Sequence, residues 1–114
     1  MAMSDLQMKD RMADGRIVLC GSNAYEKKYY FNPLFDSVPE SVKEELHIIC
    51  VLFTEEAGGV FLIVFEPDGS ISMETEASEE YILYDDITAG LFVSEFRRHR
   101  QTLFEELQLF YRVF

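Results

Sequence analysis

The sequence is poor in the residues that build stapled or metal-bound folds, with two cysteines, three prolines and no tryptophan in 114 residues. A pair of cysteines set thirty positions apart makes neither a disulfide framework nor a metal knuckle. No apolar run exceeds six residues, far below the roughly 20 that a helix needs to cross a bilayer. We therefore expect one reduced, cytoplasmic domain over residues 1–114, without a membrane span.

Positive charge is missing from a long central stretch. Between Glu44 and Phe96 there are thirteen carboxylates and no lysine or arginine, and the formal net charge of the chain is -11. Such a negative field repels nucleic acids and anionic membranes and favours basic proteins. We expect neither a nucleic acid nor a membrane as partner; a basic protein fits the charge.

The middle of the chain permits two interpretations. Ser37 and Glu40 form a capping box that predicts the start of a helix. That helix either continues to Glu56, with glycines to close it, or ends near Leu46 and gives way to a strand over residues 47–53. Because residues 47–53 are β-branched and apolar at consecutive positions, we favour the strand.

The strand interpretation leads to an α+β fold built on a small antiparallel sheet, a meander over about residues 47–76. Its second and third strands are predicted at Val60–Phe65 and Ser70–Glu76, joined by a tight turn at Pro67-Asp68-Gly69. The third strand alternates apolar and polar residues, and its glutamates are typical of an edge strand.

The amino-terminal part adds a strand or a hairpin to this sheet. Arg16–Cys20 reads as a buried strand, Gly21-Ser22-Asn23 as a turn and Tyr25–Phe31 as a second strand. Residues 1–15 are predicted to form a loose arm or a short helix.

The carboxyl-terminal part predicts a single long helix from Asp85 onward, packed on one face of the sheet. Helical spacing places one apolar stripe on it: Phe92, Phe96, His99, Leu103, Leu107, Phe110 and Phe114. Two of the strands are apolar on both faces, so the opposite face of the sheet also needs a cover. The amino-terminal hairpin, the helix that starts at Ser37 or a second copy of the chain would supply it.

A homodimer is therefore expected, with that face or the flank of the long helix at its interface. The flank exposes aromatic side chains beside a basic cluster, and the expected interface residues are Phe104, Tyr111, Phe114, Arg97 and Arg98. The arginines are expected to pair with carboxylates of the same chain or its partner: Glu74, Glu76, Glu79, Glu80, Asp85 or Asp86.

Few residues could carry catalysis. Cys50 lies in an apolar run and reads as a core residue, whereas Cys20 before a turn and His47 are the two catalytic candidates. His99 is interpreted as a partly buried residue bonded to backbone. No calcium loop, phosphate loop or hydrolase elbow is present, so neither a metal site nor a cofactor is predicted.

An aromatic cluster interrupted by lysines offers a possible pocket wall. It comprises Tyr25, Tyr29, Tyr30 and Phe31, with Cys20 or His47 at its mouth.

Four sequence blocks resemble a family of small uncharacterised proteins from anaerobic Gram-positive bacteria. They are Cys50–Gly59, Phe65–Gly69, Tyr84–Ile87 and Phe110–Phe114. The resemblance implies a bacterial cytosolic setting and supplies no catalytic residues.

The sequence does not identify a reaction. Its acidic charge and lack of a reactive constellation favour a non-enzymatic protein-interaction or regulatory module. The alternative is a small-molecule-binding protein or enzyme that uses the aromatic pocket near residues 25–31.

Overall fold

A four-stranded sheet and a set of helices make up the computed structural model, which describes residues 14–76 and 86–113. The strands are β1 (Ile17–Asn23), β2 (Lys28–Phe31), β3 (Val60–Phe65) and β4 (Ile71–Glu76). The helices within these ranges are α1 (Glu40–Ala57), α2 (Asp86–His99) and α3 (Gln101–Val113), with a 3-10 turn at Pro33–Phe35. The predicted α+β class with an antiparallel sheet is confirmed. The prediction for residues 1–15 lies almost wholly outside the described residues.

The strand order is β2-β1-β3-β4, with every neighbouring pair antiparallel. The turn between β1 and β2 follows Asn23, whose Oδ1 accepts two backbone N–H groups of the turn at 2.9 and 3.1 Å. The predicted turn at residues 21–23 is therefore wrong. Gly21 lies inside β1 because β3 passes close to it: a Cβ there would stand 2.6 Å from Leu62 Cδ2.

Residues 47–53 lie in α1, and the predicted strand, with the meander that began there, is wrong. Burial follows the helical period: Ile49 and Phe53 are wholly buried, whereas Ile48 is 52% exposed. A six-residue apolar run suits a strand buried on both faces or a helix with a wide apolar side. Here α1 crosses one face of the sheet, and only one side of the helix is covered.

Both ends of α1 differ from their predicted signals. The capping box of Ser37 does not form, since the N-cap is Pro39 and its carbonyl accepts the N–H groups of Val42 and Lys43 at 3.0 Å. At the other end the helix closes at Gly58, whose φ of 81° is readily adopted only by glycine. A glycine at this end was expected only in the alternative that was not favoured, in which the helix continues to Glu56.

The hairpin between β3 and β4 confirms the predicted tight turn. Asp68 Oδ1 accepts the N–H of Ser70 at 2.9 Å, and Gly69 has a φ of 87°. β4 lies at the edge of the sheet, as its alternating pattern predicts, with Ile71 turned to the core and Glu76 exposed.

The carboxyl-terminal part forms two helices, so the prediction of a single long helix is wrong. They meet at Arg100, and no glycine or proline stands there. On the two sides of the break, the Phe96 ring lies 6.3 Å from the Phe61 ring and the Tyr111 ring lies 4.9 Å from the Phe65 ring. α2 and α3 thus reach different parts of the core.

The main core lies between one face of the sheet and all three described helices. Most of the predicted carboxyl-terminal stripe belongs to it: Phe96, Leu103 and Leu107 are buried, and Phe92 and Phe110 pack against it. His99 does not, since its side chain is 64% exposed and its Nε2 lies 2.9 Å from Glu95 Oε2. The interpretation of His99 as partly buried is wrong.

The opposite face of the sheet carries a second apolar cluster: Val18, Tyr30, Leu62 and Val64. All four side chains are buried, and none of the described helices contributes to this cluster. The helix that was expected to start at Ser37 therefore does not cover this face, because α1 packs on the same side as α2 and α3.

Candidate functional site

A cleft with a volume of about 760 Å³ separates the β1–β2 hairpin from the second half of α1. Its hairpin wall comprises Ser22, Asn23, Ala24, Lys27, Lys28 and Tyr29. Its helix wall comprises His47, Val51, Thr54, Glu55, Glu56 and Gly58. This volume lies within the range of small-molecule sites.

An aromatic pair lines the cleft. The rings of Tyr29 and His47 stack with their centroids 4.2 Å apart and an interplanar angle of 22°. β2 supplies Tyr29, and His47 projects from the exposed side of α1, so the pair forms only because residues 47–53 are helical. The stack joins two residues that the sequence analysis selected separately, one as a pocket wall and one as a catalytic candidate.

The other predicted pocket residues lie elsewhere. Tyr25 is in the hairpin turn and is half-buried, and Tyr30 belongs to the opposite face of the sheet. Phe31 packs against the main core with the Lys43 ammonium 5.7 Å from its ring centroid. Neighbouring strand residues point to opposite faces, so an extended segment cannot place all these side chains in one pocket.

Charges of opposite sign stand on the two walls of the cleft. Lys27 and Lys28 belong to the hairpin, whereas Glu55 and Glu56 belong to the last turns of α1. Lys28 lies 3.8 Å from Glu26, but within the described ranges Lys27 and the two glutamates have no ion-pair partner. The cleft therefore presents unpaired positive and negative groups to a ligand.

Two buried polar atoms belong to cleft-lining residues. Among the described residues, neither the Tyr29 hydroxyl nor Asn23 Nδ2 has a hydrogen-bond partner. Burial and the neighbouring thiols of Cys20 and Cys50 raise the pKa of Tyr29, so its hydroxyl stays protonated. Each buried polar group without a hydrogen-bond partner lowers the stability of a fold by about 1–3 kcal/mol, and such groups are rare in native structures.

The two thiols are buried and do not line the cleft. Cys20 is inside β1 and wholly buried, so its predicted exposure at a strand end is wrong. Burial and the adjacent Cys20 raise the pKa of Cys50, which disfavours its reactive thiolate form. Neither thiol thus lines the cleft, and the described part holds no cluster of three His, Cys, Asp or Glu suited to a metal ion.

The predicted interface residues are divided between the core and the surface. Phe104 is buried, so the expectation that it is exposed is wrong, and Tyr111 is half-buried against Phe65. Phe114 lies outside the described residues. Arg97 donates to the Ile71 carbonyl at 3.1 Å, and Arg98 pairs with Glu95 one turn away.

None of these pairings joins the arginines to the carboxylates of the predicted set that the structure describes. Glu74 instead pairs with Arg16, which precedes β1 and also lies 3.8 Å from Glu66. The predicted partners Glu79, Glu80 and Asp85 fall outside the described residues, as does the side chain of Asp86.

Comparison with known proteins identifies a family. A family model described as a family of unknown function, DUF6145, matches residues 16–114. The chain belongs to this family. The match includes every cleft residue and gives none of them a role, and the predicted resemblance to an uncharacterised family is confirmed. No curated protein and no solved structure matches the chain.

A search of the described helices for a membrane span gives a negative result: none is both long and apolar enough. Four polar cleft residues that sequence reasoning did not assign to a site are Asn23, Thr54, Glu55 and Glu56. Only Asn23 gave a local signal, as a turn residue; the others join the site through the helical phase of α1, which the favoured strand interpretation concealed.

Proposed function

We propose that the protein is a non-catalytic binding protein for a small molecule that carries both a negative and a positive group. The observation behind this proposal is the cleft between the β1–β2 hairpin and α1, with cationic and anionic walls above the stacked Tyr29 and His47 rings. This proposal corresponds to the alternative function of the sequence analysis, a small-molecule pocket near residues 25–31, but its pocket lies between the β1–β2 hairpin and α1.

The charges favour a bipolar ligand over a simple anion or cation. An anionic group of the ligand would meet Lys27 and Lys28, while a cationic group would meet Glu55 and Glu56. A ligand of one sign would leave the opposite wall unpaired or repelled, which lowers its affinity relative to a bipolar ligand. A free amino acid or a dipeptide has both groups at a suitable scale.

Binding without catalysis is favoured by the placement of the reactive groups. Cys20 and Cys50 do not line the cleft, and His47 has the Tyr29 ring rather than a carboxylate as its close neighbour. A histidine that acts as a base in nucleophilic catalysis normally has both a nucleophile and an orienting group within hydrogen-bond reach. The bacterial, cytoplasmic setting expected from the sequence belongs to this proposal.

The test is a binding survey by NMR. Amide resonances of isotope-labelled protein are followed while free amino acids and dipeptides are added, and the expected shifts concentrate on Asn23–Tyr29 and on His47–Gly58. Lys27→Gln and Glu55→Gln should each weaken the binding by roughly ten- to a hundredfold, since hydrogen bonds to charged groups contribute about 1.5–3 kcal/mol.

A matched control is available on the same helix. Glu44 is exposed on α1 and does not line the cleft, so Glu44→Gln should leave the affinity unchanged. If no compound of the survey shifts the cleft resonances at millimolar concentration, or if Glu44→Gln weakens binding as much as Glu55→Gln, the proposal fails.

A second function, protein interaction, has one observation in its favour. An apolar groove of about 350 Å³ runs between the start of α1 and the end of α3, with Leu109 and Val113 at 59% and 84% exposure. These two residues replace Phe104 as the apolar part of the expected homodimer interface. A basic protein drawn by the net charge of -11 is the other candidate partner.

Sedimentation velocity tests the homodimer. If the groove forms the interface, Leu109→Glu should dissociate the dimer, whereas Leu91→Glu, at an equally exposed leucine of α2, should not. A chain that stays monomeric at high concentration contradicts the dimer, and equal effects of the two substitutions contradict this location.

A further inference from the structure

The two cysteines of the chain meet in the core. Cys20 of β1 and Cys50 of α1 are wholly buried, and their Sγ atoms lie 3.8 Å apart. They are thirty positions apart in the sequence and belong to different elements, so this contact is a product of the tertiary fold.

Two local features hold the thiols against each other. The register of β1 against β3 shifts between Val18 and Cys20, and this irregularity turns Cys20 toward the main core beside Leu19. The Ser22 hydroxyl donates to the Cys50 carbonyl at 2.7 Å, which ties α1 to β1 at the level of the sulfurs. The elements that carry the thiols therefore have little freedom to separate.

We infer that Cys20 and Cys50 form a site of reversible disulfide formation inside the folded protein. In the reaction the thiolate of one cysteine attacks a low-molecular-weight disulfide and releases one thiol. The second cysteine then attacks the mixed disulfide and releases the other thiol. The pair loses two protons and two electrons, and the small disulfide is reduced to two thiols.

Burial makes this exchange slow rather than unfavourable. Burial and the adjacent Cys20 raise the pKa of Cys50, and the Tyr29 side chain lies beside both thiols. Tyr29 belongs to β2, a four-residue strand at the edge of the sheet, and edge strands open more readily than central ones. We expect opening of β2 to limit the rate, so the decisive experiment measures an equilibrium.

The experiment uses the full chain in buffers of reduced and oxidised glutathione. The reduced protein is unfolded in urea and refolded in these buffers, and a second sample stays in urea. Free thiols are then blocked by alkylation in urea, so that the reduced chain gains two alkyl groups and the chain with the internal disulfide gains none. Intact mass gives the fraction of each form. The effective concentration of the pair is then compared between folded and unfolded protein.

The ratio of these effective concentrations equals the factor by which the disulfide stabilises the fold. Disulfides of favourable geometry correspond to ratios of roughly 30 to 1000. A ratio above about 10 supports the inference. A smaller ratio, or folded protein that carries glutathione on single cysteines instead of the internal bond, overturns it.

Variants give a second readout that does not depend on the rate of exchange. The urea midpoint of the refolded wild-type protein should be higher in oxidising than in reducing buffer, whereas Cys20→Ser and Cys50→Ser should each have one midpoint in both buffers. Equal midpoints for the wild-type protein would contradict the inference. The result is independent of the small-molecule cleft, because no variant in this test lines it.

Discussion

Two adjacent isoleucines of α1 provide a strong test of this fold. Ile48 and Ile49 have the same side chain, but Ile48 is 52% exposed whereas Ile49 is wholly buried in the main core. In the strand that the sequence pattern favours, both residues would be buried, on opposite faces of the sheet. In α1 only one is buried, so the two substitutions to alanine should have very different effects.

The expected magnitudes follow from this burial. Ile49→Ala removes three buried carbons and leaves a cavity, which costs about 2–5 kcal/mol. Ile48→Ala removes partly solvated atoms, and the higher helix propensity of alanine offsets part of the loss, so we expect a change within about 0.5 kcal/mol. A domain of this size unfolds with a free energy of about 5–15 kcal/mol, so the first variant loses a large fraction of its stability.

The assay is urea unfolding followed by circular dichroism at the helix band, with thermal unfolding as a second measurement. Ile49→Ala should lower the melting temperature by roughly 8–20 °C, at about 4 °C per kcal/mol. Ile48→Ala should melt within about 2 °C of the wild-type protein. Similar losses for the two variants would refute the helical assignment of residues 47–53 and with it the stack of His47 on Tyr29.

Further predictions concern single polar groups and one glycine. Asn32→Ala should cost about 2–4 kcal/mol in urea unfolding, because the wholly buried amide donates to the Val18 carbonyl at 2.7 Å and accepts a turn N–H at 2.9 Å. Tyr29→Phe should raise stability by about 1 kcal/mol, since its buried hydroxyl has no partner among the described residues; a loss of similar size would contradict this. Gly21→Ala should lower stability by about 1–3 kcal/mol, because the added methyl group meets β3. The Ser70 hydroxyl and N–H hold the pKa of Asp68 below its usual 3.8. The stability that Asp68 contributes is therefore present above pH 3.8 and is lost as the pH falls through the lowered pKa of the folded state. Asp68→Asn should flatten this part of the curve of stability against pH.

Local sequence patterns predict correctly those elements that form the same secondary structure whatever packs against them. The strand predicted at Val60–Phe65 is found with those bounds, and the one predicted at Ser70–Glu76 begins one residue later, at Ile71, because Pro67-Asp68-Gly69 is a turn whatever surrounds it. The apolar spacing of the carboxyl-terminal part also predicts most of its buried side, since Phe96, Leu103 and Leu107 follow one helical period.

The same patterns failed where two elements compete for one segment. The run from Ile48 to Phe53 satisfies a strand buried on both faces and also a helix buried on one. The helix is the one observed, because the sheet packs against only one side of this segment. The break at Arg100 is similar, because no glycine or proline there stops a helix, and α2 and α3 make separate aromatic contacts on either side of it.

The sequence by itself determined the class of the fold, the acidic charge, the edge strand and the absence of long apolar runs, all of which depend on composition or on residues a few positions apart. Only the tertiary structure decided the candidate sites, because their members are distant in sequence. His47 reaches Tyr29, and Cys20 reaches Cys50, only when residues 40–57 form a helix that crosses the sheet. The candidate sites of this protein therefore depend on contacts that no local pattern encodes.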